Sequence, residues 1–117
     1  MGDQFSVRSE RVGEIAVLVL DGAADLATVP DFADHLWRAV DAGEERILID
    51  LARTVFIDSR MVELLLSAAE RVRRQGGQLA ICCASEEIRR VLDLCGVTRI
   101  LPVRPSRDEA FAELATV

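Results

Sequence analysis

The stretch that most constrains this chain is residues 47–74, where one periodicity hands over to another. Ile47, Leu48, Ile49, Asp50 and Leu51 are β-branched or leucine with one acid near the end, the composition of a short strand buried on both faces. From Arg60 the pattern is helical. At 100° per residue Met61, Val62, Leu64, Leu65, Leu66, Ala68, Ala69 and Val72 share one broad face, and Arg60, Glu63, Ser67, Glu70, Arg71 and Arg74 share the other. This register predicts that Leu48, Ile49, Leu65, Ala68 and Val72 are core and that Arg60, Glu63, Ser67 and Glu70 are exposed.

Asp58 and Ser59 stand where that helix should begin. Two uses of Ser59 follow from the position. One is an N-cap, its oxygen accepting from the free N–H groups of the first turn. The other is phosphorylation. The free N–H groups and the dipole at a helix start favour a phosphate, so the helix itself tolerates the modification. Asp58 opposes the added charge, which redirects the local electrostatics without unfolding the helix, as a surface switch requires.

On either side of this stretch the elements alternate. Residues 5–11 read as an edge strand and residues 14–20 as a stronger one, with Gly13 turning between them and Asp21-Gly22 ending the second. A helix starts at Thr28, which can cap it, with Pro30 in its first turn and Phe32, Leu36, Ala39 and Val40 as its apolar stripe; Gly43 ends it. Gly76-Gly77 turns the chain into a strand over residues 78–84. Ser85 caps a further helix carrying Ile88, Val91, Leu92 and Cys95, stopped by Gly96. A last strand is expected over residues 98–103 and a last helix over residues 107–115, packing Ala110, Phe111 and Leu114. The expectation is an α/β fold: a mixed, mostly parallel sheet of about five strands, with an antiparallel start, packed against about four helices. At 117 residues, half of them hydrophobic, the chain 1–117 reads as a single domain with one core.

Charge narrows the function. A formal net charge of −6 argues against a nucleic-acid surface, and the basic cluster at Arg71, Arg73 and Arg74 reads as a complement to a helix C-terminal dipole. No stretch is apolar enough to span a membrane, and the three cysteines, Cys82, Cys83 and Cys95, read as buried thiols of a reducing compartment, not as a disulfide framework. The protein is expected to be cytoplasmic. Adjacent strand residues point to opposite faces, so Cys82 and Cys83 should occupy different environments.

Enzyme chemistry finds little support. The single histidine, His35, sits in the first helix as a solvated side chain, with no sign of a base beside Ser59. No Gly-rich phosphate loop or His/Cys metal spacing is present. Asp25, Asp50 and Asp58 all fall at strand ends, where they either serve as capping and turn residues or converge on a weak cation site. The expectation is a binding module with no cofactor, no metal and no catalytic residue.

Taken in order, Gly22-Ala23-Ala24-Asp25, Ile49-Asp50-Leu51, Val55-Phe56-Ile57-Asp58-Ser59, the apolar helix ending at Gln75-Gly76-Gly77, Leu79-Ala80-Ile81-Cys82 and Val91-Leu92-Asp93-Leu94-Cys95-Gly96-Val97 resemble the STAS domain of anti-sigma factor antagonists. The resemblance covers about residues 5–115 and implies the same α/β architecture. It implies a module that binds a serine-kinase-type anti-sigma factor and so frees a sigma factor. That kinase would phosphorylate Ser59, and a PP2C-type phosphatase would reset the switch. Asp25, Asp58, Ser59, Arg60, Glu63, Leu64 and Ser67 are the implied partner contacts, on a monomer or weak dimer. The alternatives are a STAS regulatory or scaffold module that binds another signalling partner without a serine switch, and a small-ligand binding domain. Two positions depart from the family pattern. Arg60 and Met61 stand where a small polar residue and a glycine are common, so Met61 is expected to close off a close backbone approach; Ala23 stands where an acid is common.

Overall fold

The computed structural model describes residues 5–115, and in it the 47–51 run lies at the centre of the sheet. Strands β1 (Ser6–Val12) and β2 (Ile15–Ala24) form an antiparallel hairpin. The turn is tight because Gly13 takes a φ of 60°, which only glycine adopts at no steric cost. Strand β3 (Arg46–Asp50) runs parallel to β2, from Ala16↔Ile47 to Val19↔Asp50, and β5 (Gln78–Cys82) runs parallel to β3. A two-residue strand β6 (Val103–Arg104) completes the order β1-β2-β3-β5-β6. Between β3 and β5 in the chain, β4 (Thr54–Ile57) pairs in parallel with the far end of β2.

Alternation along these strands makes two cores. On one face Leu18, Leu20, Ile47, Ile49, Leu79 and Ile81 meet the helices α1 (Val29–Asp41), α2 (Ser59–Arg74) and α3 (Glu86–Leu94) through Phe32, Leu36, Leu65, Val72, Ile88 and Leu92. On the other, Val17, Val19, Leu48, Ala80 and Cys82 meet Ala110 and Leu114 of α4 (Arg107–Ala115), with Phe111 half-buried beside them. Leu48, Ile49, Leu65, Ala68 and Val72 are all fully buried, and Arg60, Glu63, Ser67 and Glu70 are exposed. The architecture is the expected α/β one, with a mostly parallel sheet and four helices. Cys82 and Cys83 lie in the two different cores.

Several local expectations are overturned. Asp21-Gly22 does not end β2; the strand continues to Ala24 through an irregularity between Gly22 and Ala23, where Gly22 has a φ of 105°. A bulge of this kind bends the strand so that its far end can take a new neighbour. That neighbour is β4, which residue pattern alone does not reveal: Thr54 and Ile57 are buried while Val55 and Phe56 are exposed. Residues 98–103 do not form a strand. The chain makes a 3-10 turn over Val97–Arg99, closed by Ile100 N–H on Val97 O at 2.9 Å, and only Val103–Arg104 pair with β5. Gly96, at a φ of 85°, stops α3 as expected but redirects the chain into that turn. Cys95 follows the last helical residue and is exposed, so the buried-thiol reading holds for Cys82 and Cys83 only.

Candidate functional site

The ladder between β2 and β4 runs straight into the start of α2. After the pair Ala24↔Ile57, the Asp58 N–H donates to Ala24 O at 3.1 Å. Asp58 is therefore still extended, with φ −111° and ψ −178°, and its Oδ1 accepts from Arg60 N–H at 3.0 Å and Met61 N–H at 3.1 Å. Asp58 is the N-cap, and Ser59 is the first helical residue. The N-cap use of Ser59 is thus overturned: the last strand-bonded residue must be the extended one, and capping needs an extended backbone. Ser59 is exposed, and no group among the described residues hydrogen-bonds its hydroxyl.

Asp25 leaves the neighbouring strand at the same level, one residue beyond Ala24. Its Oδ1 accepts from Ala27 N–H at 3.0 Å and Thr28 N–H at 3.2 Å, an Asx turn. Thr28 does occupy the N-cap position of α1, but its side chain makes no cap bond. Its hydroxyl accepts from Asp25 N–H at 2.9 Å and lies 2.5 Å from Ala23 O, to which it donates. The side chain is spent on holding the 23–28 loop in place. Asp25 and Asp58 thus stand side by side at the ends of two parallel strands, each locked by backbone N–H groups.

Asp50 does not join them. It is buried at the end of β3 and accepts from Arg107 Nε at 2.7 Å and from Ala52 N–H at 2.9 Å. The three acids do not converge, and among the described residues no group of three His, Cys, Asp or Glu could hold a metal ion. Burial pushes the Asp50 carboxyl up, but the Ala52 N–H, Arg107 and the Cys82 thiol outweigh it and hold the group below the usual carboxylate range. The Cys82 thiol is pushed up to about 12, by burial first and then by the Asp50 carboxylate. His35 is on α1 with Nδ1 3.0 Å from Asp31 O, so it is not positioned by Ser59.

The outer face of α2 continues the site. Arg60, Glu63 and Ser67 are exposed and Leu64 is half-buried; their spacing puts all four on one stripe. Met61 is fully buried, so its side chain fills the core beneath the cap and leaves the surface at the helix start to Ser59 and Arg60. The expectation that Met61 would obstruct a close approach there is overturned, because its position on the helix points it inward. The sequence did not single out three exposed apolar residues of the neighbouring loop and strand. Leu26, in the loop after β2, is 62% exposed, and Val55 and Phe56 on β4 are 74% and 50% exposed. Their signal was an apolar run too short to assign to a face without knowing β4's partner.

The model of the STAS domain family matches residues 6–110. The protein BtrV of Bordetella bronchiseptica, provisionally designated an anti-sigma factor antagonist, is 29% identical over 107 residues, 92% of each chain. Among solved structures, an anti-sigma factor antagonist from Mycobacterium paratuberculosis superposes with a TM-score of 0.89 at 21% identity over 97% of each chain. The Bacillus cell fate determinant SpoIIAA in its phosphorylated form superposes with a TM-score of 0.72 at 23% identity, covering 92% of this chain and 98% of that one.

Proposed function

The chain belongs to the STAS domain family, and from that premise we propose that it is an anti-sigma factor antagonist switched by phosphorylation of Ser59. The observation that carries the reading is the division of labour at the start of α2: Asp58 takes the cap and leaves the Ser59 hydroxyl exposed, with no hydrogen-bond partner among the described residues. Unphosphorylated, the protein binds a serine-kinase-type anti-sigma factor through Asp25, Asp58, Ser59 and the α2 stripe of Arg60, Glu63, Leu64 and Ser67. Leu26, Val55 and Phe56 supply apolar area beside them. Binding releases the sigma factor. The anti-sigma kinase transfers the γ-phosphoryl group of ATP to Ser59 Oγ, and a PP2C-type phosphatase removes it. The protein is the substrate in both steps and contributes no catalytic group.

The charge argument sets the direction of the switch. A phosphate adds about −1.5 to −2 charges next to Asp58 and Asp25. The helix start offsets part of that locally, so the fold survives while an anti-sigma surface built for the neutral hydroxyl is desolvated unfavourably. Ser59→Asp is expected to retain the helical circular dichroism and to bind the anti-sigma factor more than about tenfold more weakly, or about 1.4 kcal/mol. Ser59→Ala is expected to bind as the wild type does and to accept no phosphate. Labelling of Ser59→Ala to the wild-type level would move the switch to another residue. Failure of the cognate kinase to label either protein would favour a STAS scaffold module without a serine switch, with Arg60 as the residue that departs from the family pattern.

A further inference from the structure

Strand β1 is an edge of the sheet, with β2 its only neighbour among the described strands. The hairpin closes on the pair Val12↔Ile15 across a tight turn with Gly13 at positive φ. In such a hairpin the closing pair exchanges backbone hydrogen bonds and the pairs then alternate. Ser6, Arg8, Glu10 and Val12 therefore bond to β2, and Val7, Ser9 and Arg11 turn their N–H and C=O groups to the open side. Among the described residues no turn, loop or cap bonds to the backbone of those three. The strand has no proline and no bulge, two of the devices that blunt an open edge; it does carry the charges of Arg8, Glu10 and Arg11.

Its side chains are complementary to themselves. With a two-fold axis through Ser9, a second copy of β1 lies antiparallel with Ser9 facing Ser9, Val7 facing Arg11, and Arg8 facing Glu10. The residues with outward backbone groups then face one another, so the ladder continues in phase. The next in-phase registers are disfavoured: one sets Arg8 on Arg8 and the other sets Glu10 on Glu10, and like charges directly opposite are destabilising. Within one chain Arg8 bonds Glu10 and Asp21, each at 3.3 Å, and Glu10 also lies 3.5 Å from Arg107; Arg8 is exposed, so exchanging its own contacts across the axis costs little.

We propose that β1 is the homodimer interface of this protein, joining two sheets into one through an antiparallel β1–β1 ladder centred on Ser9. The proposal needs no anti-sigma factor, so its failure and that of the Ser59 switch are separate results.

Sedimentation equilibrium of the full chain tests it with three variants. Ser9→Pro removes an outward N–H at the kind of edge position where proline is tolerated, and circular dichroism verifies that the hairpin persists. Arg8→Glu and Glu10→Arg each set like charges across the axis, yet mixed together they restore opposite charges at both positions. The wild type is expected to show a concentration-dependent monomer–dimer equilibrium. Ser9→Pro and Arg8→Glu are expected to weaken it by about tenfold or more, and the Arg8→Glu and Glu10→Arg mixture is expected to recover it as a heterodimer. A wild type that stays monomeric from micromolar to millimolar concentration would overturn the proposal. So would a dimer that withstands Arg8→Glu, or a mixture that recovers nothing.

Discussion

Asp58 and Ser59 are neighbours with opposite energetics. The Asp58 carboxylate takes two N–H groups of the first turn of α2, where a negative charge also complements the helix dipole. Replacing it with alanine removes a cap, and Asp58→Ala is expected to lower stability by about 0.5–2 kcal/mol. Ser59 contributes no such bond, so Ser59→Ala should stay within about 0.5 kcal/mol of wild type. Paired urea titrations measure both; a larger loss for Ser59→Ala than for Asp58→Ala would reverse the assignment of the cap. Gly77 has a different constraint. A Cβ there would stand 2.6 Å from Glu45 O, so the backbone at Gly77 passes too close to the residue that precedes β3 for a side chain.

At the scale of elements, the packing of α2 and of α4 rests on different forces. Leu65 is fully buried in the larger core, and Leu65→Ala is expected to cost about 2–5 kcal/mol; a loss below about 0.5 kcal/mol would contradict its placement. Helix α4 covers the other face with few large side chains, and its first residue, Arg107, is tied to Asp50 on β3 and, at 3.5 Å, to Glu10 on β1. The folded-state pKa of Asp50 is depressed. Its contribution is therefore present above the unfolded carboxylate value, about 3.9, and is lost as pH falls through the folded value. Asp50→Asn should destabilise the protein by about 1.5–3 kcal/mol at neutral pH and by progressively less in acid. Denaturant titrations of both proteins from pH 7 downward measure the gap, and a gap that widens in acid would contradict the sign.

For the whole molecule, the three thiols report on global integrity. Cys82 and Cys83 are buried in separate cores and both have raised pKa values, Cys82 to about 12, so neither presents a thiolate near neutral pH. Cys95 is exposed beyond the end of α3. A thiol reagent at mildly alkaline pH should titrate Cys95 quickly in the folded protein and reach Cys82 and Cys83 only when the sheet opens. Fast reaction of all three before unfolding would mean that the two faces of β5 are not protected as the packing requires.

Residue order by itself determined the elements whose partner is water or their own backbone. The α2 register followed from 3.6-residue spacing between Met61 and Val72, the β1–β2 turn from Gly13, and the α3 cap from Ser85, whose Oγ accepts from Ile88 N–H at 3.2 Å. These are local choices, decided by periodicity and by which residues satisfy a helix end. Tertiary structure decided what depends on a second segment distant in sequence. Strand β4 exists because a bulge at Gly22 bends β2 to meet it, and that pairing makes Asp58 the last extended residue and Ser59 the first helical one. Packing of α4 on β3 likewise tied Asp50 to Arg107 instead of leaving it near Asp25, and the place of β4 in the sheet left Val55 and Phe56 exposed. A short apolar run carries no record of which face will be covered, because burial is set by the neighbour and not by the run.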